Sequence, residues 1–132
     1  MKIKIEISIG ELLDKISILI VKKEQIKNPQ KLIEIDRELK FLETHGALLR
    51  EKNKEQYDTF LKKLITINSK LWTIEDDIRI LEKNSNFNEE FISLARDVYF
   101  TNDDRFSCKS DINQFYGSEI NEVKEYIDYK KL

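Results

Sequence analysis

KEQYDTFLKKLITINSKLWTIEDDIRILEK, residues 54–83, decides the fold, because Tyr57, Phe60, Leu64, Ile67, Leu71, Ile74, Ile78 and Leu81 recur within it in alternating steps of three and four. That spacing lays one apolar stripe along a single helix. At ~1.5 Å per residue such a helix is roughly 45 Å long, against about 28 Å for the diameter of a compact ball made from this chain. The stretch therefore predicts a mainly α protein, an elongated antiparallel bundle of four to five helices with coiled-coil-like pairing around this long one.

Upstream, Lys2, Lys4, Glu6 and Ser8 alternate with Ile3, Ile5, Ile7 and Ile9, which predicts a short N-terminal β-strand over 2–9 with one buried face. A lone strand leaves its backbone groups unpaired. It is expected to pair with the C-terminal tail, where Tyr126, Ile127 and Tyr129 suit β structure, or with the same strand of a second subunit. Ser8 and Glu11 form a capping box that opens a first helix with Ile9, Leu12, Leu13, Ile16, Leu19 and Ile20 on its core face, ending near Lys27. Asn28 and Pro29 start a second, whose stripe is Leu32, Ile35, Leu39 and Leu42. It is expected to break around His45 and Gly46, with Leu48 and Leu49 as a lid over the turn.

Downstream, Asn84 to Asn86 ends the long helix, and Asn86 with Glu89 caps a fourth. Phe91, Leu94, Ala95 and Val98 form its core face, with an end expected near Thr101. Asn102, Asp103 and Asp104 read as the start of a fifth helix, lined by Phe106, Ile112, Phe115 and Tyr116 and closed by Gly117. Residues 118–132 form a tail with no assigned structure. One domain is expected to span 1–132.

Composition narrows the function classes. Charged residues make up 36% of the chain and apolar residues 40%, with 3 Gly and 1 Pro, which suits helices joined by short turns. The net charge of -2, with both signs interleaved, gives no footprint for nucleic acid or an anionic membrane surface. The apolar run Ile18 to Val21 is far below the roughly 20 residues of a membrane span, and Met1 to Leu13 lacks the plan of a signal peptide. Cys108 stands alone, so no intrachain disulfide forms. A soluble cytoplasmic protein is expected.

Several chemistries are closed by missing residues. Gly10, Gly46 and Gly117 are isolated, so no phosphate-cradling loop or nucleophile elbow can be written. His45 and Cys108 supply no zinc set of the usual kind, and Cys108 reads as a buried structural thiol. Glu119, Glu122 and Glu125 have the spacing of an all-helical magnesium site but lie in the tail, outside the core helices. Lys15, Lys22, Arg37 and Arg79 suit a dicarboxylate-holding bundle, yet nothing in their spacing brings them together. The expectation is no catalytic residue, no metal and no cofactor.

Two stripes remain. Trp72, Glu75, Asp76 and Arg79 project from one side of the long helix at its apolar boundary. They read either as a core Trp with an ordinary Glu75 to Arg79 pair, or as a polar wall that clamps an anionic ligand. Ile92, Arg96, Tyr99 and Asp103, followed by Arg105 and Lys109, form the second. In antiparallel helices three and four, Arg79 and Arg96 are expected to approach one another, with Glu75, Asp76 and Asp103 as counter-charges, fixing register or holding a small polar ligand.

The set Gly10-Glu11-Leu12-Leu13-Asp14-Lys15-Ile16-Ser17-Ile18-Leu19, Leu71-Trp72 with Ile74-Glu75-Asp76-Asp77-Ile78-Arg79, Leu94-Ala95-Arg96 with Val98-Tyr99, Thr101-Asn102-Asp103, and Ile112-Asn113 with Gly117-Ser118-Glu119-Ile120 resembles a family of short uncharacterised bacterial and phage proteins. The resemblance spans nearly the whole chain. It implies a setting beside glycosyltransferase and lipopolysaccharide genes, no established activity, and a shared site or interface at Trp72, Glu75, Asp76, Arg79, Arg96, Tyr99, Asn102 and Asp103. The expected function is a non-enzymatic interaction or scaffold module, homodimeric, supporting cell-surface polysaccharide synthesis. The alternative is a sugar nucleotide or phosphate binding protein, or an enzyme, that uses the charged boundary cluster.

Overall fold

The computed structural model describes residues 1–130. Four helices follow in order, α1 (Ile9–Gln25), α2 (Pro29–Lys52), α3 (Lys54–Lys83) and α4 (Glu89–Tyr116). Each start has a side-chain cap. Ser8 Oγ accepts from the Glu11 N–H, Asn28 Oδ1 from Gln30 and Lys31, Asn53 Oδ1 from Gln56, and Asn88 Oδ1 from Phe91. Asn53 alone joins α2 to α3, serving as C-cap of one and N-cap of the other.

Side-chain pairs give the directions. Lys23 to Asp36 (2.9 Å) sets α1 antiparallel to α2, and Arg50 to Asp58 (2.9 Å) sets α2 antiparallel to α3. The Phe60 and Phe115 rings meet at 5.7 Å, and Asn68 and Arg105 both reach Asp14, so α3 and α4 are antiparallel as well. α1 and α3 each touch all three other helices, while α2 and α4 make no contact among the described residues. One core layer joins Leu13, Tyr57, Leu64, Cys108 and Ile112, and a second joins Ile16, Leu19, Ile35 and Leu39.

Five expectations are corrected. No strand is present among the described residues, and Ile3 and Ile5 are largely exposed, because no edge lies beside 2–9 to take its backbone bonds. The fourth and fifth helices are one, since Asp103 spends its carboxylate on Lys124 and Tyr129 rather than on a cap. The cap of that helix is Asn88, not Asn86. α2 runs through His45 and Gly46 to Lys52, because Gly46 is there for closeness: a Cβ on it would lie 2.5 Å from Tyr57 Oη. The expected elongation gives way to a compact bundle, since four helices, each about 10 Å across, lie side by side around α1 and α3.

The tail beyond the left-handed Gly117 (φ 64°) runs back along α4. Ser118 Oγ accepts from the Ile9 N–H (3.2 Å), Lys109 meets Glu122 (2.8 Å), and Asp103 accepts from Lys124 (2.7 Å) and from the Tyr129 hydroxyl. Residues 131–132 of the expected tail lie outside the described residues. The hydrogen bonds from Lys124 and Tyr129 hold Asp103 below the ordinary aspartate value, and the bond to Asp103 pushes the Tyr129 phenol up to about 12. This anchor is therefore present above the ordinary aspartate pKa and below the ordinary tyrosine pKa. It fades as pH falls through the lowered Asp103 value, and as pH rises from 10 toward about 12. NMR titration of the Tyr129 ring is expected to show the late ionisation in the native chain and its return toward the ordinary value in Asp103→Asn.

Candidate functional site

At the centre of the bundle is a carboxylate without solvent. Asp14 on α1 is fully buried. Arg105 on α4 grips it with Nε to Oδ1 at 2.9 Å and Nη2 to Oδ2 at 2.5 Å, and Asn68 on α3 donates to Oδ1 at 3.0 Å. The Asn68 amide also donates to Ser17 Oγ (2.8 Å), whose own proton goes to the Asp14 carbonyl (2.7 Å). Three helices are thereby pinned at one level. The hydrogen bond to Asp14, working against desolvation, raises the Arg105 pKa further, as expected for a bidentate pair in a low-dielectric setting.

One turn along α4, Lys109 is nearly buried between Glu11 and Glu122, with Nζ 2.8 Å from a carboxylate oxygen of each. Burial opposes its charge, but the hydrogen bonds to Glu11 and Glu122, together with the nearby charges of Glu11 and Asp14, leave the lysine pKa raised. The Gly10 N–H donates to Asn113 Oδ1 at 2.7 Å beside it. α1 thus meets α4 through matched polar groups, with Leu13 and Ile112 sealed beside them.

Arg105 is also the floor of a cleft of about 500 Å³ between α1, α3 and α4. Trp72, Glu75, Asp76 and Arg79 form its α3 wall, Ile18, Val21 and Lys22 come from α1, and Asn102 stands beside Arg105 on α4. The whole first stripe of the sequence therefore lies on one cleft. Arg79 donates to the Glu75 carboxylate and to the Glu75 carbonyl (3.1 Å) one turn earlier. Lys22 makes no ion pair among the described residues.

The candidate residues on α4 divide. Asn102 joins the cleft, whereas Tyr99 and Asp103 lie under the tail, with the Tyr99 ring 5.1 Å from that of Tyr129. Arg96 lines neither place, and its guanidinium rests 5.5 Å from the Phe100 ring. Arg79 and Arg96 thus each hold a partner on their own helix.

Asp14, Ser17 and Asn68 were not among the candidate site residues read from the sequence, and Lys22 was named there only beside Lys15, Arg37 and Arg79. A signal for the first three existed. Asn68 sits in the α3 stripe, four after Leu64 and three before Leu71, and Asp14 and Ser17 each follow directly on a buried Leu13 or Ile16. A polar residue at a core position needs a buried partner.

The cleft has one aromatic plane, planar carboxylate and amide groups, and three cations, chemistry of the kind that can contact a ring with hydroxyls or a phosphate. Cys108 lies in the core, and burial pushes its thiol up. Searches of the curated proteins and of the solved structures return no match. Residues 3–129 match the family of unknown function (DUF6165), and the chain belongs to that family.

Proposed function

We propose that the protein binds a small polar ligand, a sugar nucleotide or sugar phosphate, in the cleft between α1, α3 and α4. The observation that carries this reading is the convergence of Trp72, Glu75, Asp76 and Arg79 on one cleft that faces Lys22 and Asn102. A sugar offers an apolar face to Trp72 and hydroxyls to Glu75, Asp76 and Asn102, and a phosphate pairs with Lys22 and Arg79. Arg79 has to leave Glu75 to do so, at a cost of a few tenths of a kcal/mol for an exposed pair one turn apart.

Trp72 is the only tryptophan, so its fluorescence reports on the cleft. Titration with nucleoside-diphosphate sugars and sugar phosphates is expected to give a saturable change and a raised Tm with one of them. Arg79→Ala is expected to weaken that binding about tenfold while moving Tm of the free protein by no more than about 1–2 °C. A panel that leaves both fluorescence and Tm unchanged sinks the reading.

The second reading is a homodimeric, non-enzymatic scaffold. It is supported by the intrahelical Glu75 to Arg79 pair, which needs no ligand, and by the apolar side chains on the outer face of α2. Light scattering of the purified chain tests the dimer. Both readings suit the polysaccharide setting that the resemblance implies.

A further inference from the structure

α2 carries two apolar stripes. Ile35, Leu39 and Gly46 face inward, and at about 100° per residue the opposite side bears Ile33, Arg37, Phe41, Thr44 and Leu48. Ile33, Phe41 and Leu48 are 57%, 50% and 60% exposed. A helix packed only on α1 and α3 needs the first stripe alone. The arm Met1 to Ile7 adds to the second, since the Lys2 ammonium lies 4.3 Å from the centre of the Phe41 ring and Ile3 and Ile5 are exposed.

We propose that this face is an isologous interface for a second copy of the chain, α2 lying antiparallel on its counterpart with the two-fold axis at Phe41. The proposal rests on the homodimer of the second reading and says where that dimer forms. The stripe is self-complementary. Ile33 and Leu48 flank Phe41 at nearly equal distances, so antiparallel pairing sets Ile33 on Leu48 of the partner subunit and Arg37 on Thr44 of the partner subunit. Glu38 then comes beside His45 of the partner subunit, and Lys40 beside Glu43 of the partner subunit. Parallel pairing instead stacks Arg37, at the centre of the stripe, on its own copy, which like charges oppose.

A stable interface takes about 800 Å² from each partner, more than three half-exposed side chains supply, so the arm must contribute.

Sedimentation of the full chain tests this. The native chain is expected to dimerise, and Phe41→Glu and Leu48→Glu each to raise Kd at least about tenfold with an unchanged helical spectrum, since both positions are exposed. A native chain that stays monomeric overturns the interface and the homodimer reading together. A dimer that both substitutions leave intact overturns the interface alone. Cysteine linking reads the register, with a mild oxidant taking up the two electrons and two protons of each disulfide. Phe41→Cys is expected to link to itself, and Ile33→Cys to link only when mixed with Leu48→Cys. Self-linking of Ile33→Cys overturns the antiparallel register. Cys108, 1% exposed, stays out of the reaction.

Discussion

Arg105→Leu is expected to destabilise the protein by roughly 3–5 kcal/mol, the usual cost of leaving a buried charge without its partner. Asp14 has no solvent, and Asn68 supplies one hydrogen bond to its carboxylate where Arg105 supplies two. Leucine preserves most of the volume at 105, so the loss measures the stranded carboxylate rather than a hole. For a chain of this size the change corresponds to a fall in Tm on the order of 10–20 °C. Urea denaturation checks the magnitude. Removing the charge on both sides, Asp14→Asn with Arg105→Leu, is expected to recover much of the loss, because the penalty belongs to the unpaired state. A single variant within about 1 kcal/mol of the native chain would mean that water reaches Asp14.

Gly10→Ala is expected to cost about 2–3 kcal/mol, near the upper end of overpacking penalties. The sign runs against intrinsic preference, since alanine is better than glycine inside a helix by ~1 kcal/mol. A Cβ at position 10 would lie 2.5 Å from the Lys109 carbonyl oxygen and 3.0 Å from Asn113 Oδ1. Backbone cannot swing aside as a side-chain tip can. α1 must instead lift off α4, which loosens the bonds of Gly10 to Asn113, Ile9 to Ser118 and Glu11 to Lys109 together. Gly46→Ala is the control, because its tight contacts are the Tyr57 hydroxyl and the Ile16 Cδ1, both at the ends of side chains. Chemical denaturation of the two variants is expected to show the larger loss at position 10, and equal losses would refute the argument.

The helices were legible where local chemistry decides them. The Ser8 and Glu11 cap, the Asn28 and Pro29 start, the run Lys54–Lys83 and the left-handed Gly117 all stand as the sequence implies. Local chemistry also misled. Asn102, Asp103 and Asp104 have the composition of a helix start, but the tail and the cleft claim Asp103 and Asn102, a use visible only once residues 118–130 fold back. Ile3, Ile5 and Ile7 alternate as a strand does, and periodicity says nothing about whether a neighbouring edge exists. Of the candidate site, the side of α3 was legible because its four residues share a helix face. Lys22 and Arg105 complete the cleft from other helices, through pairings of α1 and α4 with α3 that no local pattern encodes.

Asp14 and Arg105 lie 91 residues apart, and Ile9 and Ser118 lie 109 apart. During synthesis α1 leaves the ribosome first, and α2 and α3 can close on it while α4 is still unmade. Asp14 must keep its water until Arg105 emerges, so one flank of the nascent bundle stays wet and its apolar neighbours stay open to chaperones. A later element therefore commits an earlier one, and a chain stalled before α4 presents quality control with three helices that cannot close.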